Sequence, residues 1–319
     1  MTIRSPRLAF FLVFLISLIW GTEFVLIDLA VAEVPTHTFN AIRFFLAALS
    51  LLPLLYFSGE KVRPKHWKKM LFMAPVLALM LFIGFYAQTE GLRFTSVSNA
   101  GFITALSVPL VPVLGFLIFR QQVRTMVWLG VSLATLGLYL LTMGGAAYEF
   151  NKGDILVLIC AFGFAAHIVL TGRWVGDMPV ITLSILQLLA VSIYSVIGAA
   201  IGDHPIFYYA GTPPITGWAL FSKPVVIFSI VVASTLGTAY AVWAQSACQK
   251  LLPSHKVALV FALEPIFAHI TAWVVLNEHL GVMGVIGAIC IVVAMVISEL
   301  GDNAHKPEIQ ALDQTAAPH

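Results

Sequence analysis

Apolar residues fill this chain in stretches about as long as one bilayer crossing, roughly 20 residues. They cover residues 8–31, 37–57, 70–89, 96–119, 126–144, 153–173, 179–201, 225–247, 256–276 and 281–299, with short polar segments between them. In lipid every backbone N–H and C=O must be bonded within its own segment, which a helix achieves. The pattern therefore predicts an all-α membrane protein with ten transmembrane helices. Residues 301–319 are polar and read as a disordered cytoplasmic tail. The first stretch has a rival reading, because Arg4 and Arg7 precede it and it ends in "AVAE", an A-x-A pattern of the kind signal peptidase cuts. It is longer than a signal core, so it reads as a membrane helix.

The chain also repeats. Shifted by 156 residues, "SNAGFITALSVPLVPVLGFLIFRQQ" lies over "SHKVALVFALEPIFAHITAWVVLNE", with Ser98 on Ser254, Pro109 on Pro265 and Gln122 on Glu278. A weaker match sets "LIWGTEFVL" on "CAFGFAAHIVL", Gly21 over Gly163, followed by Pro35 and Pro179. The expected halves are residues 1–147 and 148–300, with five helices each. An odd number of crossings makes the second half enter in the opposite sense. Inverted repeats of this kind build secondary transporters that alternate access around a site near the bilayer midplane.

Composition and charge agree with a membrane class. Of 319 residues, 60% are hydrophobic and 10% charged, against about one quarter charged in soluble domains, and the mean hydropathy is +0.96. Lipid is thus an expected partner. Nucleic acid is not, since no soluble surface exists to carry a basic patch. With the N-terminus inside, the inner segments hold 13 of the 17 Lys and Arg, five of them in "EKVRPKHWKK". Arg93, Lys152 and Lys223 fall outside, and Arg43 lies within a stretch. The positive-inside rule then places both termini in the cytoplasm. Cys160, Cys248 and Cys290 lie singly in apolar runs without C-x-x-C spacing and read as packing residues.

The stretches "LIWGTEFVL", "FNAIRFFLAAL", "GLRFTSVSNAGFITALSVPLVPVL" and "ALEPIFAHITAWVVLNEHLGVMGVIGAICIVVAMVI" resemble the EamA family of the drug/metabolite transporter superfamily over about residues 8 to 299. The resemblance implies ten helices in two inverted five-helix repeats in a bacterial inner membrane, with a central cavity lined mainly by helices 1, 3, 4, 6, 8 and 9. It also implies export of amino acids or similar small metabolites, with proton coupling as one mode. Efflux of cationic drugs or amines is the alternative, and uptake of a vitamin-like metabolite comes third. Substrates vary across the family. Members commonly carry Ser, Thr or Asn near position 23, so Glu23 departs from the pattern.

Candidate chemistry gathers on a few polar residues in apolar surroundings. Glu23 sits about 8 residues from the outer end of its stretch, roughly 12 Å deep, and Arg43 lies at similar depth in the next, antiparallel stretch. Two readings stand for Glu23: an ion pair with Arg43, or a substrate or proton site. Glu264 is the second deep acid, and it too divides between a structural and a coupling role. Asp28 is shallower and reads as solvated or paired. Pro109 and Pro265 are expected helix breaks at corresponding places, a pointer to a binding site across which they face each other, or else simple kinks. His167 and His269 read as hydrogen-bonded core histidines or as proton relays. Trp20, Asn99, Phe102, Thr104, Ser107, Thr238, Tyr240, Trp243 and Gln245 complete the expected cavity lining, with interhelical packing as their alternative role.

Gly281, Gly284, Gly287 and Ala288 form a small-residue face for packing inside a monomer or a homodimer. No metal-ligand spacing, P-loop, G-x-G-x-x-G, H-E-x-x-H or G-x-S-x-G pattern occurs. No cofactor or metal is expected. An intramembrane enzyme acting through Glu23, Glu264 and His269 is the competing class, and the inverted repeat argues against it.

Overall fold

The structure, a computed structural model, describes residues 3, 5–143, 151–201, 208–209, 215–216, 223–276 and 281–303. Of the tail expected over 301–319, residues 301–303 instead continue the last helix, while the rest of it and the boundary between 147 and 148 lie outside the described residues.

A helix or a pair of consecutive helices covers each of the ten apolar stretches. In chain order they are α1 (Pro6–Val31), α2 (Thr36–Ser50), α3 (Leu52–Ser58), α4 (Pro64–Gly91), α5 (Val97–Ala105), α6 (Ser107–Phe119), α7 (Thr125–Met143), α8 (Lys152–Trp174), α9 (Val180–Ile201) and α10 (Pro224–Val232). A π-helical segment, Ala233–Tyr240, then leads into α11 (Ala241–Cys248), followed by α12 (Ser254–Phe261), α13 (Glu264–Leu276) and α14 (Val282–Asn303). Seven of the resulting rods are long and apolar enough to cross a membrane, and two shorter apolar helices cover Thr125–Leu140 and Val282–Ile297. Two-residue strands, Tyr208–Tyr209 and Ile215–Thr216, pair antiparallel within the loop before α10.

Local chemistry explains the boundaries. Ser5 caps α1 ahead of Pro6, which needs no N–H partner at the first helical position. α8 opens on a capping box in which Asn151 accepts from the backbone N–H of Gly153 and Asp154, while Asp154 accepts from the N–H of Asn151 at 2.7 Å. α4 begins six residues before the apolar stretch at 70, on "PKHWKK", because hydropathy marks where lipid is tolerated and Pro64 marks where a helix starts.

The breaks at the two matched prolines have the same form. α5 gives way to α6 at Leu106, three residues before Pro109. The helix over 254–276 breaks at Ala262 and Leu263, just before Pro265. A proline cannot donate to the carbonyl four residues back, so the preceding turn closes on tighter bonds: Leu106 N to Ile103 O at 3.1 Å and Leu263 N to Val260 O at 3.1 Å.

Glycines permit the closest crossings. A methyl on Gly163 of α8 would lie 2.9 Å from the backbone N of Gly84 in α4, and one on Gly137 of α7 would lie 2.7 Å from the carbonyl O of Gly287 in α14. The small face of α14 thus packs within the chain at Gly287, whereas Gly281 has open space. α7 lies along α14, α2 along α9, and α4 along α8. Outward side chains are apolar, with Tyr56, Phe57, Leu71 and Val274 well exposed. So continuous an apolar surface is suited to lipid.

Candidate functional site

The rods enclose a chamber of two joined lobes. Trp20, Phe85, Phe164 and Glu264 line both. Glu23, Phe24, Ile27, Arg43 and Gln88 complete a charged lobe. Thr104, Ser107, His167 and Gln245, with Leu81, Val242 and Phe261, complete a neutral one. Each lobe leaves a volume of about 20 Å³, room for about one water molecule. The walls must move apart before any solute fits.

Arg43 organises the charged lobe. Its Nη2 lies 2.7 Å from Glu23 Oε1, and both side chains are 1% exposed. Its Nε donates to Thr238 Oγ1 at 2.6 Å, and the guanidinium stands 4.8 Å from the Phe85 ring centre, within cation–π range. Its Nη1 is buried with no hydrogen-bond partner. Glu264, 6% exposed, makes neither an ion pair nor a hydrogen bond among the described residues.

The π-helical segment makes this arrangement possible. Its wider turn turns the Gly237 carbonyl to accept from Trp20 Nε1 at 2.7 Å and presents Thr238 to Arg43. A methyl on Gly237 would collide with the Glu23 carboxylate. π turns that interrupt α-helices are frequent at functional sites, and hydropathy carries no signal for one. Gln88 donates to Thr104 Oγ1 at 3.1 Å and ties α4 to α5 beside the chamber.

In the neutral lobe His167 is held on two sides, with the Thr171 hydroxyl of its own helix a further 3.3 Å contact to Nε2. Its Nε2 lies 3.0 Å from Gln187 Oε1, and Gln245 Nε2 lies 3.4 Å from its Nδ1. Gly21 and Gly163 stand 142 residues apart but Pro35 and Pro179 stand 144 apart, so the second half holds two more residues between the matched pairs; at the spacing of the prolines, Glu23 falls on His167, Arg43 on Gln187 and Glu33 on Asp177. The second half thus carries a neutral hydrogen-bonded pair where the first carries an ion pair.

Other expected residues fall elsewhere. Asn99 lies near the start of α5, donating to Thr95 Oγ1 at 3.4 Å. Phe102 packs in the layer under α1 and α13. The Tyr240 hydroxyl donates to Leu12 O at 3.1 Å, and Trp243 packs between α1 and α9. His269 Nδ1 bonds the Pro265 carbonyl one turn back at 2.8 Å, so its polar contact is spent on its own helix. None of these five lines either lobe. Pro109 and Pro265 do not line it either; it is Glu264 and Ser107 beside the breaks that do. Sequence reasoning missed Phe85, Gln88, Phe164, Phe261 and Gly237, which sit in apolar runs without distinguishing neighbours.

On the described residues nearest the turn between α11 and α12 lies a second cavity of about 470 Å³, lined by Gln121, Gln122, Gly172, Gln249, Lys250, Ser254 and His255 among others. Beside it the Lys250 ammonium donates to Met178 O at 2.6 Å. Burial pushes its pKa down, against the Glu60 and Asp177 carboxylates, which push it up.

An apolar, helix-walled chamber holding a few buried charges is the build of an integral membrane transporter. The model of the EamA-like transporter family matches residues 7–143 and again 151–299, so the chain belongs to that family and consists of two of its repeats. An uncharacterized transporter of Archaeoglobus fulgidus is 30% identical over 291 residues, covering 90% of this chain and 84% of its own. The uncharacterized inner membrane transporter YedA of Escherichia coli is 25% identical over 240 residues, 72% of this chain and 76% of its own. A solved crystal structure superposes with a TM-score of 0.72 over 95% of this chain and 100% of that one, at 15% identity. That likeness concerns the fold alone.

Proposed function

We propose that the protein is a secondary transporter of the inner membrane that exports amino acids or similar small metabolites by alternating access. In this reading ten helical rods cross the bilayer as two inverted five-helix repeats, with both termini in the cytoplasm. The observation that carries it is the meeting, on one chamber, of a guanidinium nitrogen of Arg43 that has no hydrogen-bond partner among the described residues with the carboxylate of Glu264, which forms no ion pair or hydrogen bond among them. A zwitterion satisfies both: its carboxylate meets Arg43, and its ammonium meets Glu264 between the rings of Trp20, Phe85 and Phe164. Glu264 is also the site for proton coupling, because a carboxyl that holds a proton in one state and an ammonium in the other exchanges the two. Glu23, paired with Arg43, holds that guanidinium in place.

Further support comes from packing. α1 meets α13 as α8 meets α5 and α6, and α4 meets α8 as α1 meets the rod over 224–248, the exchange of partners that an inverted repeat requires. YedA's name as an inner membrane transporter agrees with the location. The test is counterflow in proteoliposomes with radiolabelled amino acids and with the amines that lack their carboxyl group. Exchange of an amino acid but not of its amine supports the reading. Preference for the amine would favour the efflux of cationic amines instead, and the loss of pH-gradient response in Glu264→Gln would support coupling there.

A further inference from the structure

A continuous chain of buried polar side chains joins the neutral lobe to the cavity at the α11–α12 turn. His167 and Gln245 line the lobe, while Gln249 and Ser254 line the cavity. Gln245 Nε2 lies 3.4 Å from His167 Nδ1 and 3.2 Å from Gln249 Oε1. Gln249 Nε2 then donates to the Ile168 carbonyl at 2.7 Å and to Ser254 Oγ at 3.3 Å, and Ser254 Oγ donates to the same carbonyl at 3.2 Å. These last bonds clasp the turn onto α8. A methyl on Gly172 would collide with Ser254 Oγ, which shows how tightly that seam is shut.

The direction of each bond depends on the imidazole being neutral. Nδ1 accepts from the Gln245 amide, and the Nε2 proton serves Gln187. A second proton, on Nδ1, would set a donor against a donor, since an amide group presents its N–H and C=O on opposite sides. Gln245 must then turn its oxygen to His167. That oxygen in turn faces Gln249 Oε1, so Gln249 must also turn, and its N–H leaves the Ile168 carbonyl. One proton on His167 thus costs the seam its shortest bond.

We propose that His167 is a proton-binding site whose protonation releases the seam between α8 and the α11–α12 turn and joins the cavity at that turn to the chamber. The proposal rests on the reading that the chamber opens alternately to the two faces. Other titratable or charged groups around this path are few. Glu264 of α13 lines the lobe, Cys160 shares α8, Cys248 lies in the seam, Lys250 and His255 line the cavity at the turn, and buried Lys256 follows them on α12. The elements α4, α5, α6 and α9 present Leu81, Phe85, Thr104, Ser107 and Gln187 to the lobe or to His167, none of which titrates.

Cys248 supplies a native reporter, being 0% exposed and packed against Ala165, Ile168 and Val169 of α8. In a Cys160→Ala, Cys290→Ala background, the rate of maleimide labelling is measured without substrate from about pH 8 to about pH 5. Each rate is divided by that of SDS-unfolded protein at the same pH, which removes the ionisation of the thiol itself. The normalised rate should rise by about tenfold on acidification as the seam opens locally. It should be flat in His167→Gln and in Gln245→Leu, and should keep its slope in His255→Gln and Glu264→Gln. A flat or falling profile in the parent protein, or a slope that survives in His167→Gln or Gln245→Leu, overturns the proposal. Should His167→Gln not fold, the parent and Gln245→Leu still decide it. A flat profile in protein that exchanges substrate sinks this proposal alone, while a rising profile in protein that exchanges nothing sinks the transport reading alone.

Discussion

At places 144 residues apart the two halves bury a polar pair between neighbouring helices, Glu23 with Arg43 and His167 with Gln187. The first pair is charged, lies at 2.7 Å, and keeps one guanidinium nitrogen unspent beside the chamber. The second is neutral, lies at 3.0 Å, and passes its remaining contact outward along a chain of amides. In the proposed reading, the contrast assigns work by charge. A buried ion pair locked in place gives a fixed recognition point, whereas a neutral imidazole between amides has two nearly balanced hydrogen-bonding states.

The largest effect should come from breaking the charged pair on one side. Arg43→Leu strands the Glu23 carboxylate away from water and should cost about 3–5 kcal/mol, seen as a lowered Tm and reduced yield in detergent. The double change Glu23→Gln, Arg43→Leu should recover most of that loss, and a double variant no more stable than Arg43→Leu would show that the pair is not what matters there. Gly237→Ala comes next. Its methyl group would press on the Glu23 carboxylate, an overpacking that should cost about 1–3 kcal/mol, whereas Gly101→Ala, with open space around it, should leave the Tm unchanged or slightly raised.

The neutral pair should answer more mildly. Gln187→Leu removes the nearer partner of His167 Nε2 and leaves the Thr171 hydroxyl at 3.3 Å; it should cost about 1–2 kcal/mol, with a changed pH profile of Cys248 labelling as the sharper readout. The smallest effect concerns the outermost matched acids. Glu33 pairs with Lys223 at 2.6 Å, and Asp177 with His66 at 3.2 Å and Lys65 at 3.9 Å. Dehydration pushes the Asp177 carboxyl up, but the His66 hydrogen bond, its own backbone N–H and the charges of His66 and Lys65 together hold it below its ordinary value. A carboxyl depressed in the folded state adds stability above its unfolded pKa of about 3.9 and loses it as pH falls through the lower folded value. Asp177→Asn should therefore lower the Tm slightly at neutral pH, with the difference from the parent fading as pH falls below about 4, and a difference that persists undiminished at acid pH would refute this account.

Much of the architecture was legible because lipid imposes a simple code. Long apolar runs separated by polar breaks placed every helical stretch within a few residues, apart from the basic start of α4. Pro109 and Pro265 marked breaks because a missing N–H acts locally, whatever surrounds it. Glu23 and Arg43 at matched depth made their ion pair one of two open readings. The lining of the chamber was far less legible. Helices apolar on all sides give no amphipathic signal of which face turns inward, so Phe85, Phe164 and Phe261 looked like any other packing residue while Trp243 and Tyr240 looked like wall.

What the chain by itself determined, then, is the number of apolar rods, their breaks, the doubling of the pattern and the short inventory of buried charges. Each of these follows from the transfer of single residues or turns into an apolar medium, an energy that depends little on distant neighbours. The tertiary structure alone decided that Arg43 is shared between Glu23 and Thr238, that a π turn brings Gly237 against both Trp20 and Glu23, and that Glu264 is left without a partner among the described residues while His269 bonds its own helix. Those outcomes depend on rotations of whole helices about their axes and on contacts between residues more than 200 positions apart, such as Trp20 and Gly237, and no local pattern of hydrophobic and polar residues encodes them.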